Sequence, residues 1–326
     1  MAPNHGIKIA VAIPAYNRKE LLASLLSTIP YSWQVFVSDN DSSLLPLAHP
    51  FPKNVIASHC SELIGQYANW NRALAMVYSN CTHVLIPSDD DLFLPEAGDI
   101  VEKAVQKHQE SDIFIFGCDL TDESNNRRPG FKPSRYQVYD KGGGFAEFIY
   151  GVDARMPGVL FSLSFLRRIG LFDERFKVTA GDSELIQRSL LLGKSVFIPE
   201  TIGLYRVWAG AITQSMQASE AWLSEVALWT SKIAALLIST GQSKRLGIKT
   251  TRYQDEVYAR NMLAGLNSLC QRKEYSKARL FYLEHPIPRY AFYRTRARIA
   301  SRRVMCDCMR LIGVLWRRLA DQNVTH

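Results

Sequence analysis

Apolar and polar positions along the first two hundred residues follow two alternating rhythms. Ile7-Lys8-Ile9-Ala10-Val11-Ala12-Ile13 is a β-rich run ended by Pro14, and Lys19 to Ile29 then places Leu21, Leu22, Leu25, Leu26 and Ile29 at helical spacing. Gln34 to Val37 and Asn54 to Ala57 read as further strands, Tyr67 to Tyr78 as a helix, and His83 to Ile86 as a fourth strand. A helical stretch from Pro95 to Gln109 precedes a fifth strand at Asp112 to Phe116. Strands alternating with helices of this length predict an α/β domain with a mostly parallel sheet and helices on both faces. Such sheets bind ligands beyond the carboxyl ends of their strands. Three polar patches fall there: Pro14 to Arg18 after the first strand, Ser38 to Ser42 after the second, and Asp89-Asp90-Asp91 after the fourth. They are expected to converge on one rim.

Three adjacent carboxylates at the end of a buried strand repel one another unless a cation neutralises them. Hard oxygen ligands select Mg²⁺ or Mn²⁺, an ion that keeps coordination sites for substrate phosphates. The competing reading is a solvated acidic turn or a helix N-cap before Pro95. A calcium EF-hand loop fails on spacing, because Phe93 and Leu94 stand where it needs an oxygen ligand and a glycine. Neither a GxxxxGK[ST] loop nor a GxGxxG turn is present. Nucleotide phosphates would then rely on the metal.

Length and charge narrow the field further. A chain of 326 residues, 47% hydrophobic, suits one sizeable domain with an extension, or two domains. Met1 to Ile7 has no apolar core of signal-peptide length, and no long apolar run suggests a spanning helix. These features, and six scattered cysteines read as reduced thiols, predict a cytoplasmic protein. The excess positive charge sits at the end: residues 271–326 carry a local net of +9, the remainder −1. Within that tail Met305, Cys308, Ile312, Leu315 and Leu319 recur at alternating three and four, with Arg296, Arg303, Arg310 and Arg317 on the other side. A basic amphipathic helix of this kind can lie in an anionic membrane interface on the cytoplasmic face, or pack back on the protein.

The blocks "VAIPAYNR" (11–18), "VFVSDNDS" (35–42), "GQYANWNRAL" (65–74), "LIPSDDDLFLP" (85–95), "RIGLFDERF" (168–176), "AGDSELIQR" (180–188) and "FIPETIGLYRVWAGAIT" (197–213) stand in order. Together they resemble the family-2 glycosyltransferases over residues 7 to 213. The resemblance implies a GT-A fold, a nucleotide-sugar donor, a divalent metal and inverting transfer. It implies a GT-A catalytic domain at 1–213 and a helical C-terminal extension at 214–326. Position by position, Pro14, Ala15, Tyr16 and Asn17 would line base and ribose, and Asp39 or Asn40 would hydrogen-bond the base. Asp90 matches the metal-binding aspartate, with Asp91 as a second ligand and Asp89 beside the donor.

Inverting transfer also needs a group that takes the acceptor's proton. Ser183 to Leu192, closed by Gly193, reads as a helix with Asp182 at its N-terminus. Asp182 and Glu184 lie two apart and cannot face one pocket. Asp182 matches the family's general base; its plain alternative is an N-cap. Arg188 is expected to pair with Asp173 or Glu174. The last block departs from the family, which often carries histidine where this chain has Trp208. Arg206 and Thr213 therefore become the expected diphosphate contacts.

The resulting expectation is a hexosyl- or deoxyhexosyltransferase acting on a saccharide or lipid-linked saccharide in bacterial surface polysaccharide or lipopolysaccharide synthesis. Acceptor contacts are expected between Asp119 and Leu163, where Gly142 to Gly144 suggest a mobile loop. The rival readings are a nucleotidyltransferase, and an inactive module that binds glycan or nucleic acid.

Overall fold

The computed structural model describes residues 6–41, 54–208 and 216–323, with side chains as far as Ile312. The chain divides into two compact units, 1–177 with 181–211, and 178–180 with 212–326.

The first unit is built on a ten-stranded sheet: β1 (Ile9–Ala15), β2 (Gln34–Asp39), β3 (Val55–His59), β4 (His83–Leu85), β5 (Leu92–Phe93), β6 (Ile113–Thr121), β7 (Arg127–Phe131), β8 (Gln137–Tyr139), β9 (Val159–Ser162) and β10 (Ser195–Arg206). The helices are α1 (Lys19–Thr28), α2 (Gln66–Met76), α3 (Ala97–Lys107), α4 (Leu163–Ile169) and α5 (Ala180–Leu192). The sheet runs β3-β2-β1-β4-β9-β6-β10-β5, with β7 on β6 and β8 on β10. The α/β architecture and the helical C-terminal region are as expected. The sheet is mixed rather than mostly parallel, because β9 inserts antiparallel between β4 and β6, and β5, β7 and β8 also pair antiparallel. Parallel pairing holds β3, β2, β1 and β4 together, and separately β6 with β10.

Every residue of β1 is buried, which is why it reads as a continuous apolar run rather than an alternating one. The strand passes through Pro14 instead of ending there. Its ladder to β4 stops at Val11 while that to β2 continues to Ala15, so Pro14 has a paired neighbour on one side alone, where a missing N–H is tolerated. Leu22 and Leu25 of α1 are fully buried against the sheet, each contributing about 2 kcal/mol by burial. They join Trp33, whose ring meets Phe93 edge-on at 5.5 Å, and the α3 residues Val101 and Val105.

Gly142 to Gly144 do not form a loose loop. Gly144 opens a 3-10 turn through Phe148 and lies so close to Ser195 that an added Cβ would fall 2.1 Å from its hydroxyl. That contact is a reason for glycine quite separate from mobility.

The second unit is helical, with long helices at Glu220–Ser239, Thr250–Gln271 and Tyr293–Asn323 and a shorter one at Tyr275–Glu284. By length and composition Glu220–Ser239 could cross a membrane, contrary to the expectation that no run would. Half of that window is buried, and Trp222, Leu223, Val226, Trp229, Ile233 and Leu237 form one of its inward faces. The basic helix forms as expected but packs on a different stripe: Thr295, Ile299 and Cys306 are buried, whereas Cys308 and Ile312 are exposed. The positions Leu315, Arg317 and Leu319 fall beyond the described side chains.

Candidate active site

The three polar patches meet at the carboxyl ends of β1, β2 and β4. After Ala15 the chain turns through Asn17, whose φ of 51° lies in the left-handed region that asparagine tolerates better than most residues. This turn presents the backbone N–H of Tyr16 to Asp89 Oδ2 at 2.9 Å and swings Arg18 back over the acidic loop. Tyr16 itself is exposed at the rim, while Pro14 and Ala15 are buried in the strand. At the end of β2, Asn40 N–H donates to Ala15 O, which joins the second patch to the first. Asp39 is buried and its Oδ1 lies 3.4 Å from Asp41 N. The Asn40 amide is engaged on both atoms with the backbone of Ile64, donating to its O and accepting from its N–H. Asn40 is thus a clasp for the loop after β3.

The acidic trio is buried and held by a network. Arg18 Nη1 lies 2.9 Å from both Asp89 Oδ1 and Asp90 Oδ2. Trp208 Nε1 donates to Asp90 Oδ2 at 2.9 Å, and the Arg18 guanidinium lies over the Trp208 ring, 5.2 Å from its centroid. Asp91 turns the other way and accepts the N–H groups of Ser88 and Arg206. β10 makes this possible: pairing with β5 at Gly203 and Leu204 brings its exit alongside the acidic loop. Burial pushes the Asp89 carboxyl up to about 7, with Arg18 drawing it down and the Asp90 charge raising it. Burial likewise raises Asp91 well above the ordinary range, reinforced by Asp90.

This donor set does not fit the metal role expected of Asp90 and Asp91. Both oxygens of Asp91 face backbone N–H groups, and both of Asp89 are hydrogen-bonded. Among the described residues only Asp90 Oδ1 in the trio accepts no hydrogen bond, and no group of three His, Cys, Asp or Glu side chains is placed to hold an ion. A divalent cation of this class needs several free oxygens at once.

Arg206 is buried, and its guanidinium is committed to the protein. Nε donates to Asp90 O, Nη1 to Asp122 O and Nη2 to Asn125 Oδ1. It positions the acidic loop rather than offering the diphosphate contact expected from the sequence. Thr213 lies outside the described residues.

Asp182 sits in the first turn of α5 and accepts the Ser183 N–H on Oδ1. Burial raises its pKa above the ordinary carboxylate value, with the Ser183 N–H and the Arg155 charge opposing. Arg155, which the sequence reading missed, also stacks over Tyr205 one residue before Arg206. Glu184 is buried and paired with Arg188. Arg188 is structural as expected, though with Glu184 and the carbonyls of Ile169, Gly170 and Leu171 in place of Asp173 or Glu174. The two carboxylates of "AGDSE" therefore have separate duties.

Residues 10–169 match the family model "Glycosyl transferase family 2". The fold is similar to that of S. aureus TarS. The crystal structure of its residues 1–349 in complex with UDP-GlcNAc aligns with a TM-score of 0.56 at 14% identity, covering 94% of this chain and 92% of that one. The same segment without that complex gives 0.53 at 13% identity, again over 94% and 92%. Against the longer TarS crystal structure the TM-score is 0.52 at 14% identity, over 91% of this chain but 54% of that one, so this chain spans about half the length of that relative. No curated protein sequence matches the chain.

Proposed function

Starting from a chain whose residues 10–169 belong to glycosyl transferase family 2, we propose an inverting glycosyltransferase that moves a hexosyl or deoxyhexosyl group from a nucleoside-diphosphate sugar to a saccharide hydroxyl. The observation that carries this reading is the meeting of the Tyr16–Arg18 turn, the acidic loop and Trp208 at one strand end. Asp39 faces the base, and Tyr16 with Asn17 forms the wall against base and ribose. Arg18 stands at the diphosphate.

In the chemistry proposed, Asp182 accepts the proton of the acceptor hydroxyl. The hydroxyl oxygen attacks the anomeric carbon from the face opposite the diphosphate, the carbon–oxygen bond to the diphosphate breaks, and the nucleoside diphosphate leaves with that electron pair. Burial raises the pKa of Asp182, which makes its ionised carboxylate a stronger proton acceptor than an ordinary aspartate.

The acceptor is read as a lipid-linked saccharide of bacterial surface polysaccharide or lipopolysaccharide synthesis, at the cytoplasmic membrane face. Support comes from the helix Tyr293–Asn323, where exposed Val304, Leu311 and Ile312 lie among arginines.

The deciding experiment is a thermal-shift screen of the full chain against UDP, GDP, dTDP and ADP in the presence of Mn²⁺, followed by assay of nucleoside diphosphate release from the matching sugar donor. Stabilisation by one nucleotide and turnover lost in Asp182→Asn is the expected result. A silent panel sinks the reading.

A further inference from the structure

A single guanidinium lies where the acidic loop calls for a cation. Arg18 Nη1 bridges Asp89 and Asp90 at 2.9 Å each, and the same Asp90 oxygen is taken by the Trp208 indole. Two features keep Arg18 there: the left-handed turn at Asn17 immediately before it, and the Trp208 ring beneath it. Neither is needed by a loop that merely awaits an ion. Nor is the arginine used up, since among the described residues its Nε and Nη2 make no hydrogen bond and its side chain is 24% exposed. Guanidinium is planar, permanently charged and suited to phosphate oxygens. One edge can hold the carboxylates while the other meets a diphosphate.

We propose that Arg18 is the built-in cation of this site: it neutralises Asp89 and Asp90 and binds the donor's diphosphate, so that nucleotide binding needs no divalent metal. The inference rests on the nucleotide-sugar reading and deepens it by assigning the charge at the diphosphate to a side chain. Trp208 belongs to the same device. As a residue that cannot ligate metal, it supplies a face for the guanidinium and an N–H for Asp90.

The test is calorimetric titration of UDP, GDP, dTDP and ADP into the full chain, once in excess EDTA and once in excess MnCl₂. For wild type, at least one nucleotide is expected to bind with the same affinity in both buffers. Arg18→Gln is expected to weaken that binding in EDTA by about tenfold or more, with Arg18→Lys recovering most of it. Binding that requires Mn²⁺ in wild type overturns the proposal, and so does an Arg18→Gln variant that binds as wild type does in EDTA. A chain that binds none of the four in either buffer removes the nucleotide-sugar reading itself, and the inference with it. Should Arg18→Gln fail to fold by circular dichroism, electron paramagnetic resonance of Mn²⁺ with nucleotide, before and after wild type is added, decides: a free-ion signal no lower than with nucleotide alone supports Arg18 as the cation, and a further loss on adding the protein overturns it.

Discussion

The hydroxyl of Tyr67 accepts the backbone N–H of Gly181 at 3.0 Å, one residue before the candidate base Asp182. A Cβ on Gly181 would stand 2.5 to 2.8 Å from the Tyr67 ring, so ring and glycine are fitted to one another. Tyr67 is in turn stacked on Phe172 at 5.4 Å, which limits its retreat. Tyr67→Phe is expected to lower stability by about 1 kcal/mol, the value of one buried hydrogen bond, and to reduce kcat with little change in donor KM. Gly181→Ala should reduce kcat further. Steady-state kinetics with denaturant unfolding checks both, and a Gly181→Ala enzyme of full activity would separate this contact from the chemistry.

Asp182→Asn should abolish turnover and yet raise the melting temperature at neutral pH. Burial raises the folded pKa of Asp182 above its ordinary value. The folded state thus holds the proton more tightly than the unfolded chain, and the stability this gives is complete below the unfolded pKa and lost as pH rises through the folded one. Asparagine stays neutral throughout and escapes that loss. Activity follows the opposite sign, falling as pH drops through the raised value. Calorimetry together with a kcat/KM profile tests this, and an Asp182→Asn variant that melts lower at neutral pH would mark the residue as a helix cap.

Arg206→Lys is expected to destabilise by roughly 2–4 kcal/mol, because one ammonium cannot reach three acceptors held by a planar fork. Asp90 O, Asp122 O and Asn125 Oδ1 would share a single donor in place of three. The acidic loop should loosen, weakening nucleotide binding alongside the loss in melting temperature. If scanning calorimetry finds the variant as stable as wild type, Arg206 does not anchor the loop.

Much of this layout was legible in the chain because continuous apolar runs such as Ile9–Ile13 and helical spacing such as Leu21, Leu22, Leu25 and Leu26 report burial directly. The rim position of the polar patches then followed from topology. What escaped were features set by long-range pairing. β9 and the antiparallel edge strands are short, and nothing local distinguishes Val159–Ser162 from a parallel strand. The amphipathic helix was found, but its buried stripe was misjudged, because Thr295 and Cys306 are weaker hydrophobic signals than Ile312 and they face the helical unit's own residues: Thr295 donates to Glu256, and the Cys306 thiol meets that of Cys270. Arg18 was visible within "IPAYNR", and three adjacent carboxylates demanded a cation. Its partnership with Asp89 and Asp90 depends on a backbone reversal at Asn17 that residue identity alone does not fix.

His83 sets an acid limit on stability away from the active site. It starts β4, is buried edge-on against Phe114 at 5.7 Å, and shares its Nδ1 with Thr82 Oγ1 at 3.0 Å. Its Nε2 is buried with no hydrogen-bond partner among the described residues. Burial lowers its pKa from 6.5 to about 4, so the folded chain keeps the ring neutral where the unfolded chain would take a proton. Stability owed to the neutral ring is complete above 6.5 and lost as pH falls from there to about 4. Across that window wild type should lose on the order of 2–3 kcal/mol more than His83→Gln. Urea unfolding of both proteins at neutral pH and near the lower end of the window measures the difference with other titrating groups held in common. Parallel losses in the two proteins would mean that His83 gains its proton without unfolding the strand.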